Sequence, residues 1–322
     1  KPNIIISNSL SIFAITPYLI AKKFKARFIE EVRDLWPESI VAYKGISKHN
    51  PIIWIMYKFE KWIYIKADKI IFSMEGGKDY ILDKKWEKDI DISKIQHINN
   101  GVDLDTFNYN KENYITIDED LDDKNTFKVL YTGSIRQANN IRKIVDIAEI
   151  IKKKGGKNIK FLIYGEGPDR RILEEYCMRN GINNVLFKGF VDKNRIPFIL
   201  SKCDLNIMHF EQNSLKIYGA SMNKMFEYLA SGKPSLSDCE FGYDIFNRYK
   251  AGWSIDNADA ELLASKIISI HNMPKSEYNI YCQNALEAAK DFDFKVLTYK
   301  LEQVIMELEP NNKEGNYANT IN

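Results

Sequence analysis

Short runs of β-branched residues alternate with longer helical stretches along nearly the whole chain, and this rhythm constrains the fold more than any other feature. Residues 4–6, 27–32, 69–73 and 94–98 read as strands, with helices at 10–23 and 51–66 between them. Strands joined by helices return in the same direction and so build a parallel sheet covered by helices. The fourth strand runs into Asn99, Asn100, Gly101, Val102 and Asp103, a turn signal. Residues 108–126 then break the rhythm. They end in Asp118, Glu119, Asp120, Leu121, Asp122 and Asp123, lack apolar periodicity and read as a solvated acidic linker or loop. Beyond them the alternation restarts, with strands at 127–131, 159–164, 185–187, 204–208 and 234–236 and helices at 141–154, 170–179 and 221–230, then helices from residues 258, 275 and 294 onward. The expectation is an α/β chain of two doubly wound, Rossmann-like domains, 1–107 and 127–291. A last helix at 292–308 returns towards the N-terminal half, and 309–322 forms a frayed tail. The 322-residue length fits two domains. Domains of this kind place strand C-terminal ends and helix N-termini at a shared cleft, where a nucleotide can sit.

Composition narrows the function. Lysine and arginine number 46 against 44 acidic residues, a net charge of +2, so a chain dominated by one basic nucleic-acid-binding face is not favoured. The four cysteines and four histidines are scattered without the close spacing of a zinc site or disulfide scaffold, so no metal is expected and a reducing cytoplasm fits best. Lys22, Lys23 and Lys25 end the first apolar stretch and Pro17 interrupts it, too early for a membrane span. The opening also lacks a signal peptide's basic region and cleavage site, and it lacks an initiator Met, as if the chain were entered partway through a fold.

The most informative stretch runs from Ser221 through Asn223, Lys224 and Glu227 to Gly232, Lys233 and Pro234. Ser221 is a suitable N-cap, and helical spacing puts Asn223, Lys224 and Glu227 on one face. A cationic side chain at a helix start suits a diphosphate, and a carboxylate one turn deeper can accept from a ribose diol. The alternative is an ordinary amphipathic helix with a solvated Lys and Glu. Gly133, in Tyr131-Thr132-Gly133-Ser134, ends a strand where a bare backbone can approach a phosphate; Arg136 and Arg142 lie near. Gly165, Glu166, Gly167 and Pro168 form a second tight turn into a helix, and Phe187 through Phe190 and Val191 a third strand end. In the first half, Glu31, Arg33, Asp34 and Glu38 leave a strand beside Trp36. Residues 44–69 interleave six lysines with Trp54, Tyr57 and Trp62, a pattern for an anionic membrane surface or for a core helix with snorkelling lysines.

These strings resemble the large retaining family 4 of GT-B glycosyltransferases, in the branch with the pattern S-x-N-K-x-x-E-Y-x-x-x-G-K-P. The run from Glu31 to Ser39 resembles the E-x-R-D-L-W-P-E-S signature of the bacterial branch building capsule and O-antigen sugars, similar to UDP-L-fucosamine transferases. Residues 100–107 resemble its interdomain N-G-V-D-x-x-x-F junction. The resemblance, from Lys1 to about Leu308, implies a GT-B fold with two Rossmann-like domains facing each other across a cleft. The first would be the acceptor side and the second the nucleotide-sugar side. It implies Glu227 on the donor ribose, the helix start from Ser221 to Asn223 on the diphosphate, Gly133, Gly165 and Gly167 under the donor, and Phe190 and Val191 at the base. Lys224 would stabilise the leaving group, and Asp34 would contact the acceptor or donor sugar.

Three departures bear on this. Gly219 stands where most of the family has a sugar-facing Glu, so sugar contacts must come from the backbone of 218–221 or from the loop 209–212. Ser134 and Asn139 replace a family Arg and Lys, leaving Arg136 as the nearby charge. Family members also begin with a further strand and a glycine-rich loop, so a fragment is expected. The implied activity is transfer of a sugar from a nucleotide diphosphate donor, UDP-linked and an N-acetylated deoxyhexosamine among the candidates, to a lipid-linked or oligosaccharide acceptor at the cytoplasmic face. Retention is implied and no cofactor. A UDP-sugar 2-epimerase of the same fold and an inactive sugar-nucleotide-binding module remain alternatives.

Overall fold

In the computed structural model, which describes residues 1–8, 13–156, 158–210 and 212–309, ten strands pair in parallel to form two separate sheets. The expected start of the first helix at residues 10–12, Glu211 within the loop 209–212, and the tail from 310 lie outside the described residues.

The first sheet holds β1 (Ile4–Ser7), β2 (Arg27–Val32), β3 (Lys69–Phe72) and β4 (Ile95–His97), in that order. Helices Ile15–Phe24 and Pro51–Lys66 meet on one another and on β2 through Tyr18, whose ring packs edge-on against Phe28 and Trp62. The longer helix begins where Asn50 accepts from the amide of Ile52 and Pro51 presets the first turn. It ends where Lys94 Nζ donates to the carbonyls of Tyr64, Ile65 and Ala67, occupying acceptors that the helix cannot satisfy itself. The last helix, Phe294–Met306, packs Val304 and Leu301 against Ile29 and Ile71. Residues 295–309 therefore belong with the chain up to Asn99 in one compact unit, and Asn100–Phe294 form the other.

The second sheet comprises β5 (Phe127–Thr132), β6 (Ile159–Tyr164), β7 (Val185–Gly189), β8 (Leu205–Met208), β9 (Ser235–Ser237) and β10 (Gly252–Ser254), ordered β10-β9-β8-β5-β6-β7. Its central strands are buried on both faces, as the apolar runs Val129-Leu130-Tyr131 and Phe161-Leu162-Ile163 require of a parallel sheet. One face packs Ile144, Val145 and Ala148 of helix Ile141–Lys153. The other packs Phe226 and Leu229 of helix Asn223–Ala230 together with Ala285 and Phe292. The order reverses between β5 and β8, the place where open α/β sheets offer a binding crevice.

The acidic stretch departs from its expected role as a solvated linker. Residues 108–126 contain the end of helix Leu104–Asn113, whose Phe107 is buried in the second unit's core, and helix Glu119–Asp122. Lys188 Nζ donates to Asp118 Oδ1 at 2.7 Å and to Asp120 Oδ2 at 2.6 Å, and the Tyr164 hydroxyl donates to Asp118 Oδ2 at 2.7 Å. Lys160 reaches Asp120 and Asp123. The division between units accordingly falls at Asn99/Asn100. The turn residue Val102 is built into the second unit, donating its amide to Phe292 O and accepting from the amide of Phe294. Burial works against ionisation of Asp118 and Asp120, but the hydrogen bonds from Lys188 outweigh it and hold both carboxyls below their ordinary range.

Lys188→Met removes the ammonium and leaves two carboxylates facing one another. We expect a loss of about 2 kcal/mol at neutral pH, read by thermal or urea unfolding. Because depressed carboxyl groups stabilise only while ionised, the gap between variant and wild type narrows as pH falls below about 4.

Candidate functional site

Strands β5, β6 and β7 end at Thr132, Tyr164 and Gly189, and their ends are tied together by backbone bonds: Gly133 N donates to Tyr164 O, and Gly165 N donates to Gly189 O. A cavity of about 720 Å³ opens there, walled by the loop after β5, the loop after β6, the segment after β7 and the first turn and a half of helix Asn223–Ala230. Of the residues singled out in the sequence, it brings together Gly133, Arg136, Gly165, Phe190, Val191, Asn223, Lys224 and Glu227.

Two of the glycines are explained by close approach. A Cβ on Gly165, whose φ is +149°, would lie 1.8 Å from Gly133 O, so any side chain would force the two loops apart. Gly167 lines no part of the cavity, contrary to its expected place under a ligand. A Cβ there would lie 2.0 Å from Ile135 O, so its role is to let the second loop pack against the first.

Ser221 also departs from expectation. The N-cap position of the helix is Met222, in extended backbone without a side-chain cap, and the helix starts at Asn223. The Ser221 hydroxyl is engaged elsewhere: its Oγ accepts from the amide of Asn100 at 2.8 Å, and its carbonyl accepts from Asn100 Nδ2 at 2.5 Å. The N-G-V-D turn is thus bound to the segment leading into the helix. The Met225 amide donates to the carbonyl of Met222, and the two amides before it, of Asn223 and Lys224, stand at the helix start, where the helix itself supplies no acceptor and a ligand can.

Lys224 and Glu227 sit half-buried one turn apart on the cavity side of this helix. Lys224 Nζ donates a long bond, 3.4 Å, to the Tyr131 hydroxyl and lies 4.6 Å from the centre of that ring. A Cβ on Gly133 would be 3.1 Å from the same ammonium, so the glycine gives it a place against bare backbone. Burial pushes the Lys224 amine down to about 8, although Glu227 works in the opposite direction. Burial likewise raises the Glu227 carboxyl, opposed by Lys193 and Lys224. Among the described residues neither Arg136 nor Lys193 has an ion-pair partner, whereas Glu166 is paired with Arg170. Arg142 is committed as well, bonded to Asp146 and stacked over Tyr176. The surplus charge facing the cavity is positive, which suits an anion at the helix start and a hydrogen-bonding diol at Glu227. Phe190, 71% exposed, and Val191 with Ile196 offer an apolar edge for a flat ring.

Tyr131 and Lys193 were not anticipated. Strand periodicity hides Tyr131, because a buried tyrosine in an apolar strand reads as core; Lys193 is one lysine among many. Gly219, at φ +91°, closes the short helix Ser214–Tyr218 and does not line the cavity. In the first unit Asp34 follows the end of β2 and is exposed without an ion-pair partner among the described residues. Its neighbours in the same string are occupied. Arg33 bonds Glu31, and the buried Glu38 accepts from Tyr57 and pairs with Lys48 and Lys84. Among the described residues no group of three or more His, Cys, Asp or Glu side chains is placed to hold a metal ion. No described helix is long and apolar enough to cross a membrane.

The profile of the family described as Glycosyl transferases group 1 matches residues 115–288, which contain every wall of the cavity. Among solved structures, Anabaena Alr3699/HepE in complex with UDP superposes with a TM-score of 0.74 at 13% identity, covering 95% of this chain and 79% of that one. Sucrose-phosphate synthase from Thermosynechococcus elongatus gives 0.70 at 18% identity, with 95% and 73% covered. A glycosyltransferase from Rickettsia africae gives 0.65 at 18%, with 94% and 83% covered. At these identities the likeness is one of fold, two Rossmann-like parallel-sheet domains of the GT-B kind. No curated protein matches the chain.

Proposed function

The chain belongs to the group 1 glycosyl transferases, and from that premise we propose that it moves a sugar from a UDP-linked donor to a lipid-linked glycan precursor of a surface polysaccharide, with retention of configuration. The observation that carries the donor assignment is Lys224: a half-buried ammonium at the start of a helix, on a cavity wall, whose one side-chain hydrogen-bond partner among the described residues is a tyrosine. A charge held in that way costs free energy unless an anion completes it. The nucleotide is suggested by HepE, which was solved with UDP and with UDP-glucose.

In this reading the diphosphate lies at the amides of Asn223 and Lys224, with Arg136 beside it. Glu227 accepts from the two ribose hydroxyls, and the base lies against Phe190 and Val191. As the bond to the sugar breaks, negative charge grows on the departing diphosphate, and Lys224 and the helix amides stabilise that charge more than they stabilise the bound donor. No cofactor beyond the donor enters. Asp34 is assigned to the acceptor or donor sugar by the signature in which it stands.

The membrane side of the proposal rests on helix Pro51–Lys66. It exposes Ile52 (68%), Trp54 (56%) and Ile55 (47%), with Lys58 lying over the Trp54 ring and Lys66 at the far end. An apolar stripe edged by lysines fits an anionic cytoplasmic leaflet, where a lipid-linked acceptor would reside. Trp54→Glu should reduce co-flotation with anionic vesicles several-fold and leave flotation with neutral vesicles, weak from the start, unchanged.

Incubation with UDP-sugars and a lipid-linked acceptor tests the activity. Transfer supports it; isomerisation without acceptor, or binding without turnover, contradicts it. For Glu227→Ala we expect an intact melting transition and UDP affinity weakened at least tenfold, since two charge-assisted hydrogen bonds of about 1.5–3 kcal/mol each are partly replaced by water. Lys224→Ala should depress turnover by a larger factor than affinity.

A further inference from the structure

At the end of β8, directly after Met208, stands His209; at the end of β9, directly after Ser237, stands Asp238. Met208 and Ser237 are register partners, so the two side chains leave neighbouring strands at the same level. His209 Nδ1 is bonded to Asp238 Oδ2. Lys143 Nζ pairs with the same oxygen at 2.5 Å, and the amide of Phe210 donates to Asp238 Oδ1 at 3.1 Å. Asp238 is 2% exposed, and its carboxyl is held low by His209 and Lys143 against the cost of burial. The carboxylate is thereby shared among Lys143, the Phe210 amide and the imidazole, and it holds the ring in place. In the neutral ring, a proton on Nδ1 donated to the carboxylate leaves Nε2 as an acceptor, and among the described residues Nε2 has no partner.

Its position in the sheet gives that acceptor a purpose. β8 is the neighbour of β5 across the reversal of strand order, and their ladder stops at Leu130↔Asn206, two residues short of the end of each strand. Gly133, on the cavity wall, continues β5, and His209, which lies outside that wall, continues β8 on the other side of the strand reversal, where a doubly wound sheet opens its crevice. Lys143, one turn after the cavity residue Asn139, ties the ion-paired cluster to the wall of the donor cavity. The nucleotide half of the donor is served by Glu227, Lys224 and Phe190, none of which belongs to β8. We propose that His209 is a specificity-determining residue, its Nε2 accepting a hydrogen bond from a hydroxyl of the donor sugar, with Asp238 and Lys143 as positioning residues that fix the ring. This rests on the reading of the cavity as a UDP-sugar site and adds the sugar subsite to it.

The test separates sugar from nucleotide. Calorimetry on the full chain measures the affinity for UDP and for a panel of UDP-glucose, UDP-galactose and UDP-N-acetylglucosamine. For His209→Phe we expect UDP affinity within twofold of wild type and affinity for the preferred UDP-sugar reduced fivefold or more, with discrimination across the panel flattened. His209→Gln, which places an acceptor near the Nε2 position, should recover part of the loss, and it replaces the Phe variant if that one fails to melt cooperatively. Equal changes towards UDP and UDP-sugar, or none towards either, overturn the inference and reduce the cluster to a structural clasp between β8, β9 and helix Ile141–Lys153. Wild type that binds UDP but none of the panel also overturns it while sparing the nucleotide site. Wild type that does not bind UDP removes the underlying reading itself.

Discussion

A lysine ammonium kept half-buried with no ion-pair partner among the described residues is the interaction to which the second unit's architecture is fitted. Removing such a group from water is costly, and the compensation supplied by the protein is small: a long hydrogen bond, the face of the Tyr131 ring and the charge of Glu227 one turn away. Everything around it follows from keeping that space open. Tyr131 is anchored in the buried centre of a parallel strand, and Gly133 offers no side chain where the ammonium sits. Gly165 and Gly167 allow the next loop to close on the first backbone to backbone, and Asn100 holds the segment that leads into the helix. An anion arriving at this point meets a charge already desolvated and oriented, which is the arrangement that electrostatic stabilisation of a leaving group requires.

Much of this was legible in the sequence because it depends on local rules. The alternation of strands and helices gave both sheets, and the N-K-x-x-E spacing placed Lys224 and Glu227 on one helical face, since i to i+3 neighbours must share a face. What could not be read depended on partners far away in the chain. Ser221 has the chemistry of an N-cap, but a hydroxyl has one best use and Asn100, 121 residues earlier, claims it. The acidic run looked solvated because nothing within it reveals Lys160 and Lys188, which neutralise it from two strands of the sheet. Gly165 and Gly167 are indistinguishable as letters, although one faces the cavity and the other packs under a loop. β10, three residues long, lacks enough alternation to register as a strand.

The first unit repeats the lesson for charged clusters. The string from Glu31 to Ser39 carries four charges, yet three serve the fold. Glu38, 5% exposed, is enclosed by Tyr57, Lys48 and Lys84, and Arg33 bonds Glu31, which leaves Asp34 facing solvent. A distinctive motif therefore mixes residues engaged within the fold with one left open to solvent: burial sets Glu38 apart, and the ion pair with Glu31 sets apart Arg33, which is as exposed as Asp34.

The central claim, that Lys224 waits for the donor diphosphate, is tested most directly by the pH dependence of UDP affinity in wild type and Lys224→Met between pH 7 and 9. In the unliganded protein burial holds the amine down to about 8, and a bound diphosphate raises it, so binding takes up a proton once the free amine begins to lose its own. Wild type should bind more tightly than the variant at pH 7, with an advantage that shrinks as pH rises through 8 and approaches a tenfold loss per unit beyond it. Parallel pH profiles for the two proteins, at any absolute affinity, would contradict the account.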